Sequence, residues 1–199
     1  EIHEATMSML AIDQHNAQYT LFAPDVDQAH VINHITKQPS DETRNVLVEA
    51  ARLTRGNINP LATANAADFD ALIVPGGFGA AKNLSTFATE GSAMSINGDF
   101  LAFAQAMHQA GKPVGLICIA PVMAAAICGQ GVQTTIGTDM ATAAAVNATG
   151  AVHCECPVDN ICIDKEKKLV TTPAYMLANS IAEAATGINK LVDAVLALA

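Results

Sequence analysis

Short apolar runs, each cut off by a glycine turn or a helix start, constrain this chain more than any other feature. Leu72-Ile73-Val74 runs into Pro75-Gly76-Gly77, and Val114-Gly115-Leu116-Ile117-Cys118 runs into Ile119-Ala120-Pro121. Runs of this length without polar alternation fit strands buried on both faces, as in a parallel sheet. Helical patterns alternate with them. Phe100-Leu101, Phe103-Ala104 and Met107 keep the spacing of one helix face, and the pattern stops at Gly111. Ala120 to Ile127 reads as a small-residue helix and Ile181 to Leu198 as an amphipathic one. Ser40 is placed to cap a helix that closes near Arg52, Arg55 and Gly56. Gln18 to Ala23 reads as a strand ended by Pro24, and Ile161-Cys162-Ile163 and Leu169 to Thr172 as a hairpin around a charged turn. Strand and helix in alternation predict an α/β fold, with ligands at the carboxyl ends of the strands.

A length of 199 residues fits one domain, 1–199. With 51% hydrophobic and 15% charged residues, the chain can bury a core and is not disordered. The 10 basic and 19 acidic side chains leave a net charge of -9, which repels a phosphate backbone and an anionic lipid surface alike. Aromatics at 4%, with no Trp, leave little to stack on bases. Neither a nucleic acid nor a membrane is therefore an expected partner. Mean hydropathy is +0.29, yet no apolar run approaches the roughly 18–20 residues of a membrane span. The five cysteines are an odd count with no signal-peptide pattern ahead of them, so free thiols in a reducing, cytoplasmic setting are expected.

Cys118 is the sharpest candidate for chemistry. It ends an apolar strand, and Pro121 marks the first turn of the next helix. A thiol at a helix N-terminus feels the positive end of the dipole, which lowers its pKa, and the N–H groups there can hold an oxyanion. This is a nucleophile elbow with Cys in place of Ser. Such a turn forces a positive φ on Cys118 and aims its sulfur at Gly76-Gly77. The alternative is a small buried hydrophobe. Pro75-Gly76-Gly77-Phe78-Gly79 lets backbone approach a ligand but is neither a Walker A loop nor a full dinucleotide fingerprint. Glu4, by position alone, is a solvated complement to a helix dipole. His30 and His34, spaced to share a helix face, lack the glutamate of a zinc-protease motif, since Val31 stands there. Cys154-x-Cys156 has no second pair to complete a zinc site. His153 and Asp139 read as loop polar residues. No metal ligand set emerges.

Taken together, Glu1 to Ala5, Thr43-Arg44-Asn45-Val46-Leu47, Ala71 to Leu84, Gly115 to Pro121, Thr135 to Asp139 and Val170 to Leu177 resemble the DJ-1/PfpI superfamily, within the class I glutamine-amidotransferase-like fold. The nearer likeness is to the subgroup of the bacterial isoprenoid-biosynthesis-associated glyoxalase ElbB. The resemblance implies a flavodoxin-like three-layer sandwich with a mostly parallel sheet and a nucleophile elbow, commonly as a homodimer. It places Cys118 on the elbow cysteine and Glu4 on the acid that packs against its sulfur. Gly77 and Ile119 fall on the backbone donors of the oxyanion hole, with Gly76 and Phe78 lining the pocket. Two departures stand out. Many members carry His directly after the elbow cysteine or in the turn after the elbow helix, where this chain has Ile119 and Thr135-Ile136-Gly137-Thr138. Amidotransferase and protease chemistry lose their base. Members also carry a first strand before the Glu, and its absence suggests that an N-terminal piece precedes the sequence given.

The function implied is a cofactor-free, glutathione-independent glyoxalase of the lyase or hydratase type. Cys118 would add to glyoxal or methylglyoxal, and a protonated Glu4 of raised pKa would move protons, releasing glycolate or lactate. The alternative is a redox or stress sensor in which an accessible, low-pKa Cys118 is oxidised reversibly.

Overall fold

The computed structural model describes residues 1–199. Its frame is a four-stranded sheet in the order β5 (Leu72–Val74), β6 (Val114–Ile117), β10 (Leu169–Thr172), β9 (Cys162–Asp164). The first three are parallel, and β9 adds an antiparallel edge through the predicted hairpin with β10. Both β6 and β10 are buried at every position. That explains why β6 reads as an unbroken apolar run, whereas β10 buries two hydroxyls that are both partnered: Thr171 Oγ1 accepts the Thr135 N–H and the Thr172 hydroxyl donates to the Asn160 carbonyl.

The two faces of β6 feed separate cores. Val114 and Leu116 join Phe100, Phe103, Ala104 and Met107 of α4 (Gly98–Gln109). Ile117 joins Ile188, Leu191, Val192 and Val195 of α7 (Ile181–Leu198). Gly115 is what lets α7 come so near. A β-carbon there would stand 2.9 Å from Leu191 Cδ2 and 3.1 Å from Val195 Cγ2. Alongside α7 lies α1 (Ile2–Gln14), which completes the outer layer. Burial of the α7 side chains is worth about 1.5–3 kcal/mol each in transfer terms, so this helix is a main stabiliser of the sheet. No helix is long and apolar enough to cross a membrane.

The remaining elements are short. β1 (Phe22–Ala23) pairs in parallel with β4 (Asn59–Pro60). β2 (Val31–Asn33) and β3 (Gln38–Ser40) form a hairpin. β7 (Gln133–Thr134) pairs in parallel with β8 (Val152–His153). The helices α2 (Val46–Ala50), α3 (Phe87–Glu90), α5 (Ala124–Cys128) and α6 (Met140–Ala148) fill the connections.

Several sequence expectations fail here, each for a local reason. Ser40 caps no helix; it ends β3, because the Asn33 side chain accepts from the Ile35 and Thr36 N–H groups and folds the chain into the β2–β3 turn. The helix starts later, where Asn45 Oδ1 accepts the Val48 N–H at 3.0 Å. His30 and His34 flank β2 and share no helix face. Of the strand expected over Gln18 to Ala23, only Phe22–Ala23 pairs. Ala120–Met123 is a 3-10 turn, and the α-helical geometry begins only at Ala124.

Candidate active site

The elbow forms where β6 hands over to that 3-10 turn. Ile117 is locked in the sheet and the Cys118 N–H donates to the Thr172 carbonyl of β10 at 2.9 Å. Pro121 fixes the start of the turn. Between these anchors Cys118 adopts φ +63°, a left-handed conformation that costs a non-glycine residue on the order of 1–3 kcal/mol. Gly76 makes room for it. A β-carbon on Gly76 would lie 2.5 Å from the Ile117 carbonyl oxygen and 2.6 Å from the Cys118 β-carbon. Only glycine can pass this close.

Glu4 reaches the same place from α1. Its side chain is wholly buried, which overturns its reading as a solvated dipole complement. Oε2 accepts the Gly76 N–H at 2.8 Å and Oε1 the Tyr175 N–H at 3.4 Å. The Cys118 thiol is its side-chain neighbour. Burial raises the Glu4 pKa, against the lowering pull of these N–H donors. Facing the sulfur are the Gly77 and Ile119 N–H groups, with Gly77 at φ +78°. The structure thus brings Cys118, Glu4, Gly76, Gly77 and Ile119 together.

Two site expectations are corrected. Cys118 is only 5% exposed, and its pKa is pushed up to about 12, first by burial and then by the Glu4 charge. The predicted lowering fails because no α-helix begins at the elbow: the 3-10 turn intervenes and the α-helical part is five residues long. The Gly77 and Ile119 donors lower the thiol pKa, but by less than burial raises it. Phe78 does not fold onto the sulfur. It is 74% exposed, its ring centroid 4.9 Å from the Lys82 ammonium. A groove of about 320 Å³ along Leu61, Ala64, Asp99 and Phe103 does not include Cys118.

Cys118 and Glu4 behave as one acid system. The Glu4 charge raises the Cys118 pKa, while the thiol's hydrogen bond lowers that of Glu4, so the two groups are coupled through the one contact between them. With the proton on Glu4, the sulfur meets two N–H donors and no neighbouring negative charge. The arrangement suits nucleophilic addition followed by proton transfer, with backbone donors at the developing oxyanion.

Polar residues outside the elbow have structural partners. Asp139 caps α6. His153 Nε2 accepts the Ile136 N–H at 3.2 Å, and burial lowers the pKa of His153, in keeping with a neutral ring acting as acceptor. Tyr175, which sequence reasoning passed over, holds Glu4 through its N–H and meets His3 Nδ1 through its hydroxyl at 2.7 Å. Its place inside Val170 to Leu177 was the signal available.

No protein-family model matches the chain. A human protein, glutamine amidotransferase-like class 1 domain-containing protein 3, mitochondrial, is 46% identical over 208 residues, covering 100% of this chain and 77% of its own. The crystal structure of an isoprenoid biosynthesis protein with amidotransferase-like domain from Ehrlichia chaffeensis is 32% identical, with a TM-score of 0.93, covering 100% of this chain and 91% of that one. Glyoxalase III from Candida albicans, at 16% identity and a TM-score of 0.58, covers 99% of this chain and 87% of its own, and shares the fold. The expectation of a cytoplasmic protein is overturned by the curated relatives: the human protein and the rat and zebrafish ES1 proteins are all named mitochondrial. Free thiols distinguish a reducing from an oxidising compartment, and cannot by themselves tell cytosol from organelle.

Proposed function

The chain belongs to the glutamine amidotransferase-like class 1 (ES1) family of the DJ-1/PfpI superfamily, and from that premise we propose that it is a cofactor-independent glyoxalase acting on glyoxal and methylglyoxal. The observation that carries the reading is the buried Glu4 carboxyl beside the Cys118 sulfur, with the Gly77 and Ile119 N–H groups facing that sulfur.

The Cys118 thiolate adds to one aldehyde carbon, and the resulting oxyanion rests on the Gly77 and Ile119 N–H groups. Protonation gives a hemithioacetal. Glu4, as carboxylate, removes the hydrogen from the carbon bonded to sulfur and, as acid, returns a proton to the neighbouring carbon. The product is a thioester of the 2-hydroxy acid. Water hydrolyses it, releasing glycolate or lactate and the free thiol. Aldehyde plus water equals hydroxy acid, so no external oxidant or reductant is consumed. Two features support Glu4 in this role: a pKa that burial raises, which helps a group that must take up and return a proton, and its fixed position between two N–H donors.

A histidine base for amide hydrolysis has no counterpart at position 119 or over Thr135 to Thr138, which favours aldehyde chemistry over amidotransfer. Burial of Cys118 argues against the sensor alternative at that sulfur. The name of the Ehrlichia protein supports an association with isoprenoid biosynthesis, and the names of the curated relatives support a mitochondrial location; both are carried here as parts of the proposal.

The test is turnover of glyoxal and methylglyoxal by purified protein without added metal or glutathione. Wild type is expected to release glycolate and lactate, and Cys118→Ala to lose at least 100-fold in rate. Wild-type turnover in Cys118→Ala would exclude the mechanism.

A further inference from the structure

Three of the five cysteines lie in one neighbourhood far along the chain from the elbow. Cys162 opens the edge strand β9 and pairs with Thr171. Cys154 follows β8, its N–H bonded to the Thr134 carbonyl at 2.8 Å. β7 stands between these two segments, tied to β9 by a 2.9 Å bond from the Gln133 N–H to Asp164 Oδ2. But β7 is only two residues long, and it does not keep the sulfurs apart. The Thr171 hydroxyl, opposite Cys162, accepts the Thr135 N–H at 2.9 Å, next to the Thr134 carbonyl that holds Cys154, so the Cys154 and Cys162 thiols are near enough to interact, with the buried Cys156 beside them. Both Cys154 and Cys162 are half-buried rather than sealed. Cys154 Sγ has only weak alternatives, Gln133 Oε1 and the Val152 carbonyl, each at 3.9 Å.

We propose that Cys154 and Cys162 are a modification site: a dithiol that closes to a reversible disulfide when the protein meets a peroxide. Hydrogen peroxide is the oxidant. The more exposed thiol attacks one peroxide oxygen, giving a sulfenic acid and one water. The second sulfur displaces hydroxide from that sulfenic acid, forming the S–S bond and a second water. Two thiols lose two electrons and two protons, and peroxide gains them.

The site has a route to the elbow. The bond closes the loop 154–162, which contains Asn160. The Asn160 carbonyl accepts the Thr172 hydroxyl at 2.9 Å, and the Thr172 carbonyl accepts the Cys118 N–H at 2.9 Å. The loop is also seated tightly on α7, where a β-carbon on Gly187 would lie 2.7 Å from the Val158 carbonyl oxygen.

The proposal is independent of the glyoxalase reading and is tested without it. Pre-reduced protein is titrated with hydrogen peroxide, remaining thiols are alkylated, and peptides are mapped by mass spectrometry without reductant. The expected result is loss of two of the five free thiols, a Cys154–Cys162 linked peptide, and full recovery with dithiothreitol. Cys162→Ser should leave Cys154 as a sulfenic acid that dimedone traps, with Cys162→Ala as a second variant. Cys118→Ala should form the same linked peptide as wild type. Oxidation of Cys118 ahead of this pair, a linked peptide that uses Cys156 in place of either partner, or five free thiols in folded, peroxide-treated protein would each overturn the proposal.

Discussion

At the scale of single residues, the chemistry turns on how Glu4 and Cys118 divide one proton. Glu4→Gln removes the charge that helps hold the thiol up, so the Cys118 pKa falls while burial keeps it above the ordinary range. Alkylation by iodoacetamide followed against pH should shift to lower pH in this variant, while glyoxal turnover falls about 100-fold for want of the proton carrier. The glutamine amide also turns an NH2 toward either the Gly76 or the Tyr175 N–H, so some stability is lost as well. A second prediction follows from the direction of the thiol shifts. Cys118, Cys128 and Cys162 all sit near 12 against an ordinary 9.0. An acid whose folded pKa is raised holds its proton more tightly when folded. The stability this gives is complete below about pH 9 and is lost as pH climbs toward 12. The urea midpoint should drop across that window, and Cys118→Ala should flatten part of the drop. The position of Cys118 is legible in the sequence because a buried strand, a sharp turn and a proline meet there. Its pKa is not, because burial is decided by α1 and the Val170 to Leu177 segment, distant in sequence.

Among the elements, the turn after β5 is the one whose geometry tolerates least. Gly76→Ala would drive a methyl into the Ile117 carbonyl and the Cys118 β-carbon. Neither can yield without moving the sheet, so a cost of about 3 kcal/mol is expected from urea unfolding, together with loss of turnover. A milder case is Asn45→Ala. It removes the cap of α2 and the 2.7 Å bond from Asn45 Nδ2 to Asp25 Oδ1, and should cost about 1 kcal/mol with activity kept. Sequence periodicity finds α4 and α7 because each presents one long apolar face. It misplaces the start of α2 because Ser40 and Asn45 are both good caps, and what separates them is the β2–β3 turn. It misses the meeting of Cys154 with Cys162 because that depends on which two-residue strand lies beside β9, and two residues carry no period to read.

For the whole molecule, the two cores meet across one sheet, so damage to either should be felt everywhere. Leu191→Ala opens a hole over Gly115 and should cost about 2–5 kcal/mol. Unfolding followed by far-UV circular dichroism and by Cys118 alkylation should coincide, since α7 supports the sheet from which the elbow springs. The architecture was readable from strand–helix alternation, and the resemblance supplied the pairing of Glu4 with Cys118 that alternation alone leaves open. That pairing has one more consequence. Glu4 belongs to α1, and α1 docks against α7, far along the sequence, where His15 Nε2 meets Asp193 Oδ1 at 2.6 Å. Glu4 therefore reaches the Cys118 sulfur only when these two distant stretches of the chain are packed together.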